Sequence, residues 1–294
     1  SAPPPRPPPP APGPAPSRPP DLPLRARPAA AAAAGFRGVE FWWPFASPTP
    51  ARDEVDAFVG AIETAGVQLT GLNFDAGNMP GGDRGLVSWP ARSADLRANL
   101  DVVTAIGERT GCRAFNALYG NRQEGETPEA QDELGAENLA LAARAVGRIG
   151  GTVLVEPVSG APAYPLKTAA DAVRVIDRVA ADHGETNLGL LFDVYHLAVN
   201  GDDVDAALST YRGRIAHVQV ADAPGRGEPG TGDLPIERWT KDLRAGGYDG
   251  WIGREYKTAD ADPVAGLPAA ERGRDPRPST GRVPTVRRPP RPPT

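Results

Sequence analysis

Glu156, Asp193, Gln219 and Glu255 each close a short apolar run: TVLVEP, LGLLFDVYH, IAHVQVAD and WIGREY. If those runs are parallel strands of one barrel, their carboxyl ends converge on a single face, where such barrels carry their active sites. Three carboxylates and an amide gathered there repel one another unless a cation joins them. An all-oxygen donor set suits Mg²⁺ or Mn²⁺ better than zinc, with water and a substrate oxygen completing six-coordination. Any one of these residues alone also reads as a helix cap or a satisfied loop residue. Four at the same position of consecutive strands point to a shared metal site.

Other polar residues cluster near these strand ends. His196, three residues after Asp193 in the following loop, could hydrogen-bond a substrate hydroxyl or carbonyl, or serve the structure alone. Arg226, in the Gly-rich stretch ADAPGRGEPGTG, could bind a substrate carboxylate as a bidentate donor, or simply be a solvated loop residue. His217 is two residues before Gln219 and so shares its side of the strand one layer deeper, where packing or support is at least as natural as substrate contact. His183 reads as a surface residue at a helix end. The loop Asn73–Gly85, rich in Gly, reads as a lid or binding wall, and the aromatic run Phe41–Phe45 as core and pocket wall.

The elements that must position these groups alternate. Strands are expected at Gly38–Trp42, Val67–Phe74, Arg113–Leu118, Thr152–Glu156, Leu188–Asp193, Ile215–Val220 and Trp251–Glu255. Helices are expected near 51–65, 93–110, 129–148, 167–183, 202–211 and 235–245, with a further one at Arg27–Gly35. Pro50, Thr127-Pro128-Glu129, Gly66 and Gly111 punctuate them as starts and stops. Strict alternation implies an α/β fold with a parallel sheet and right-handed crossovers. No GxGxxG or GxxxxGK[ST] follows an early strand, so a phosphate-binding open sheet loses its main support. A TIM-type (β/α)8 barrel remains, with seven strands visible where eight are wanted and proline-rich sequence in place of strand one.

The 294 residues, 40% hydrophobic and 23% charged, suit one barrel domain at 27–260. Residues 1–26 and 261–294 are dominated by Pro, Ala and Arg, too poor in apolar side chains to offset ordering entropy, and are expected to be disordered tails. A PxxP-type docking motif is the sharper reading of them. Because both tails carry excess Arg, the middle is more acidic than the formal net charge of −5. That argues against nucleic acid as a partner. A single Cys, Cys112, excludes a disulfide framework and points to a reducing cytoplasm. No apolar run is long enough for a membrane span or a secretory signal.

The segments GFRGVEFWWPF (35–45), LNFDAGNMPGGDRGL (72–86), FNALYGNR (115–122), LVEPVSG (154–160), FDVYHL (192–197), IAHVQVADAPGRGEPGTGDL (215–234) and GGYDGWIGREYK (246–257) resemble hydroxypyruvate isomerase, of the xylose isomerase-like barrel superfamily. The resemblance runs from about residue 23 to 258 and is most specific over 215–257. It implies a metal held by Glu156, Asp193, Gln219 and Glu255, with Gln219 where related sugar epimerases tend to place His. It further implies that Glu156 and Glu255 act as the acid–base pair while His196 and Arg226 position a small oxo-acid substrate. The expected reaction interconverts hydroxypyruvate and 2-hydroxy-3-oxopropanoate (tartronate semialdehyde) through an enediolate. The family's first strand has no counterpart here, and the sequence after Lys257 is unlike the family. The alternatives are a 2-oxo-tetronate or keto-sugar isomerase or epimerase of the same superfamily, or a non-catalytic relative disabled by loss of strand one. A barrel-type DNA-repair endonuclease would want more His ligands and a basic face. A homo-oligomer is compatible with the sequence but not required by it.

Overall fold

The computed structural model describes residues 22–256. Seven parallel strands run in sequence order: β1 (Gly38–Phe41), β2 (Gln68–Asn73), β3 (Ala114–Asn116), β4 (Thr152–Val155), β5 (Leu188–Asp193), β6 (Ile215–Val220) and β7 (Ile252–Arg254). Helices α1 (Arg27–Ala33), α2 (Arg52–Ala65), α3 (Ser93–Thr110), α4 (Pro128–Gly147), α5 (Ala169–His183), α6 (Val194–Val199), α7 (Val204–Tyr211) and α8 (Ile236–Ala245) alternate with them. This is the expected TIM-type barrel, with seven strands among the described residues. Both proline-rich tails, at residues 1–21 and 257–294, lie outside the described residues. Residues 22–26, which the sequence groups with the first tail, include a 3-10 turn at Leu24–Ala26, and Leu24 packs on the core.

Local chemistry sets the helix ends. Thr127 Oγ1 accepts the Ala130 N–H at 3.1 Å ahead of Pro128, and Thr168 and Asp171 cap α5 reciprocally. Gly66 closes α2 at φ 68°, a left-handed conformation that a side chain would strain. The helices bury apolar stripes such as Phe58, Val59 and Ile62 on α2.

Period-two alternation divides each strand between two environments. Leu190 and Phe192 on β5, and Val218 and Val220 on β6, join the continuous apolar core. The intervening His217, Gln219 and Asp193 turn to the barrel interior. Register then levels the polar residues: Asp193 pairs with Gln219, and Gln219 with Gly253, two residues before Glu255. No helix among the described residues is long and apolar enough to cross a membrane.

Between β7 and β1, the two ends of the sheet, side chains span the seam. The Trp42 Nε1–H donates to Glu255 Oε1 at 2.8 Å. Gly38 lies so near Trp251 that an added Cβ would come within 3.0 Å of the indole.

Candidate active site

Glu156 follows β4, Asp193 ends β5, Gln219 lies in β6 and Glu255 follows β7, all four at the carboxyl ends of their strands. Glu156, Gln219 and Glu255, with His196, Arg226 and Trp42, line one cavity of about 320 Å³. Asp193 is buried beside it. Ligand atoms of Glu156, Asp193, His196 and Glu255 lie within 4.8 Å of one another, a group able to hold a metal ion. Met79, Pro80 and Arg84 of the loop 73–85 form part of the wall, as the sequence suggests.

Each carboxylate is held by neighbours. Asn116 Nδ2 donates to Glu156 Oε2 at 2.6 Å. Glu255 accepts from Trp42 on one oxygen and from Arg226 Nη2, at 2.7 Å, on the other. Asp193 Oδ1 accepts the backbone N–H groups of Tyr195 at 2.9 Å and His196 at 3.1 Å. The plain helix-cap reading is therefore true of one Asp193 oxygen, and Oδ2 remains for the site. That cap starts α6, so His196 stands on a short helix rather than in the loop that the sequence suggests.

Burial shifts the proton affinities. It raises Glu156 well above the usual carboxyl range, and Glu255 and Asp193 push it further. Burial lifts Asp193 to about 6 against the pull of Arg226. Glu255 is also raised by burial, with Arg226 opposing. His196 falls to about 4, first through burial and then through Arg226. Three acids crowded away from water in this way fit a divalent cation, which would remove their mutual repulsion.

His196 Nδ1 accepts the Ser159 backbone N–H at 3.0 Å. A neutral ring then carries its proton on Nε2, 3.8 Å from both Glu156 Oε1 and Asp193 Oδ2. That nitrogen presents a donor to the cavity rather than a lone pair. Gln219 Oε1, by contrast, is buried with no hydrogen-bond partner among the described residues. The oxygen donors that this group offers a hard cation are thus its three carboxylates, with the Gln219 amide lining the same cavity.

Arg226 has φ 55°, in a loop tied by Asp222, which accepts N–H groups from Ala223, Gly230 and Leu234. Its guanidinium stacks 5.2 Å from the Tyr195 ring. Sequence reasoning missed Asn116, Ser159 and Glu40. Asn116 carries the same mark as the metal-site candidates, a polar residue ending an apolar run. Glu40 is the polar residue between Val39 and Phe41, and its Oε2 accepts from His217 Nε2 at 3.0 Å and Gln219 Nε2 at 3.1 Å. His217, only 3% exposed, is accordingly a supporting residue.

A family model described as xylose isomerase-like TIM barrel matches residues 28–275. The chain belongs to that family. A Streptomyces coelicolor protein bearing a provisional hydroxypyruvate isomerase name is 52% identical over 86% of this chain and 93% of its own. The hydroxypyruvate isomerase of Escherichia coli is 30% identical over 79% and 87%, and the 2-oxo-tetronate isomerase of Cupriavidus necator 33% identical over 78% and 85%. A crystal structure of a family 2 AP endonuclease from Brucella melitensis superposes with a TM-score of 0.76 at 28% identity, covering 86% of this chain and 96% of that one. A D-psicose 3-epimerase structure shares the fold at TM-score 0.67 and 18% identity, covering 83% of each chain. Within the xylose isomerase-like family, this chain is an isomerase of the hydroxypyruvate isomerase group.

Proposed function

We propose that this isomerase is metal-dependent and interconverts hydroxypyruvate and 2-hydroxy-3-oxopropanoate, with Glu156 and Glu255 as its acid–base pair. The observation that carries the reading is the convergence of three buried carboxylates, Glu156, Asp193 and Glu255, at a cavity that Gln219 also lines. Mg²⁺ or Mn²⁺, held by Glu156, Asp193, Gln219 and Glu255, would stabilise negative charge developing on the substrate oxygens.

The rest is work for the chain's own side chains. One carboxylate of the pair removes a proton from the hydroxymethyl carbon of hydroxypyruvate, leaving an enediolate. The other delivers a proton to the neighbouring carbon, and the hydroxyl proton passes to the former carbonyl oxygen. Glu156 and Glu255 both line the substrate cavity, where general acid–base transfer requires them. Hydrogen bonds from Asn116 and Trp42 fix their directions. The His196 Nε2–H faces the reacting oxygens, and Arg226 receives the substrate carboxylate. No hydride leaves the substrate, so no nicotinamide is required. The buried, free Cys112 is in keeping with a reducing cytoplasm.

A second reading, a four-carbon 2-oxo-tetronate substrate, is favoured by the Cupriavidus necator relative and by a cavity roomy enough for the extra carbon. The test strips metal with chelator, restores Mg²⁺ or Mn²⁺, and follows each oxo-acid by proton NMR. Metal-dependent conversion of hydroxypyruvate is expected, with Glu156→Gln and Glu255→Gln each reducing turnover by ~10²–10⁴. Turnover of 2-oxo-tetronate alone selects the second reading. Metal-independent turnover by both variants overturns the mechanism.

A further inference from the structure

Glu40 lies on β1 between two core residues, inside the barrel, and the neighbouring strands are hollowed out around it. An added Cβ on Gly253 of β7 would fall on Glu40 Oε1, and one on Gly71 of β2 would lie 3.1 Å from Oε2. Glycines on both flanking strands thus make space for a carboxylate. Its Oε2 gathers two donors, His217 Nε2 and Gln219 Nε2, both on β6. Glu40 Oε1 and Gln219 Oε1 are each buried without a hydrogen-bond partner among the described residues.

We propose that Glu40 is a positioning residue that holds the Gln219 amide with its oxygen turned into the cation site. The proposal rests on the metal-dependent reading above. A glutamine side chain can turn its amide over, exchanging oxygen and nitrogen at almost no intrinsic cost. Turned over, Gln219 would set its oxygen against the Glu40 carboxylate, acceptor against acceptor, and aim its N–H₂ at the cation. The Glu40 carboxylate forbids that state. The His217 N–H, bound to the same oxygen, keeps Glu40 itself from swinging. A carboxylate ligand presents oxygen whichever way it turns. Of the four ligands, Gln219 alone needs this support, and Glu40 supplies it from across the seam between β1 and β7.

The readout is Mn²⁺ affinity of the full chain, measured by the EPR signal of free Mn²⁺, with circular dichroism as the check on folding. Glu40→Met removes the acceptor and should weaken Mn²⁺ binding ~10–100-fold, the usual cost of losing a group that orients a metal ligand. Glu40→Gln can still present an oxygen to both donors, so its affinity should stay close to that of the unsubstituted chain. In a Gln219→Leu background, where no amide needs orienting, Glu40→Met should add no further loss. If Glu40→Met fails to fold, Glu40→Asp takes its place, since the shortened arm no longer reaches the amide. Unchanged affinity in Glu40→Met, or equal losses in Glu40→Gln and Glu40→Met, overturns the positioning role while leaving the metal site standing. Failure of the unsubstituted chain to bind Mn²⁺, or binding indifferent to Glu156→Gln, removes the metal reading itself and this inference with it.

Discussion

Arg226 and Glu255 meet as a short ion pair, Nη2 to Oε2 at 2.7 Å, with the guanidinium also donating from Nε to the Glu255 carbonyl oxygen at 3.2 Å. One cation therefore both steadies a proposed catalytic carboxylate and faces the cavity where a substrate carboxylate would lie. The planar fork and the stacking on Tyr195 are features that Lys cannot reproduce. Arg226→Lys is expected to raise KM for hydroxypyruvate ~10-fold or more, with a smaller effect on kcat. Steady-state kinetics check it, and an unchanged KM removes Arg226 from substrate binding.

The crowded carboxyls make the stability of the metal-free chain depend on pH in an unusual direction. Burial lifts Asp193 to about 6 in the fold against 3.8 ordinarily, and Glu156 and Glu255 are raised above their own ordinary values as well. The folded chain thus takes up protons before the unfolded chain does, and stability increases as pH falls, by ~1.4 kcal/mol per pH unit for each proton. His196 works the other way, losing stability between its ordinary 6.5 and about 4. The loss from His196 is one group against three raised carboxyls, Asp193, Glu156 and Glu255, so the net change as pH falls toward 6 is a gain. Thermal melts in chelator should show Tm rising as pH is lowered from 8 toward 6. Saturating Mg²⁺ or Mn²⁺ should raise Tm and flatten or reverse the slope; an identical slope with and without metal would refute the shared site.

Cys112 is 1% exposed, and burial pushes its thiol up to about 12. The thiolate, which is the reactive species, is then on the order of 10⁻⁴ of the population at pH 8. A disulfide exchange reagent at that pH should leave the native chain unlabelled and titrate one thiol after denaturation. Prompt labelling of the native chain would contradict the burial.

All seven strands and the main helices were legible because apolar runs of strand length alternate with amphipathic stretches bounded by Pro, Thr and Gly. The metal-site candidates were legible for a related reason: Glu156, Asp193, Gln219 and Glu255 each break an apolar run at the same place. Glu40 was not, because it lies mid-strand, and one polar residue between Val39 and Phe41 fixes its face without saying what it meets. Its partners are 177 and 179 residues away in sequence. The α6 helix was hidden because six residues hold too little periodicity, and its start depends on Asp193 acting as cap and site residue together. The Arg226–Glu255 pair depends on how a Gly-rich loop folds around Asp222, which no local pattern announces.

The seam between β7 and β1 should be the weak line of the barrel. Among the described residues, strands β2 to β6 each have a backbone ladder on both sides, whereas β1 and β7 have one each, and β1 carries a register shift at Val39/Glu40. Across the seam the barrel is joined by side chains, among them Trp42 on Glu255. A strand with one ladder opens without breaking the rest of the sheet, so its amides exchange through local fluctuation rather than global unfolding. Hydrogen exchange read by mass spectrometry should therefore find β4, β5 and β6 protected to near the global stability and β1 and β7 exchanging far sooner. Trp42→Ala should speed exchange at β1 and β7 and leave β5 unchanged. Uniform protection around all seven strands would mean that the seam is closed as firmly as the ladders.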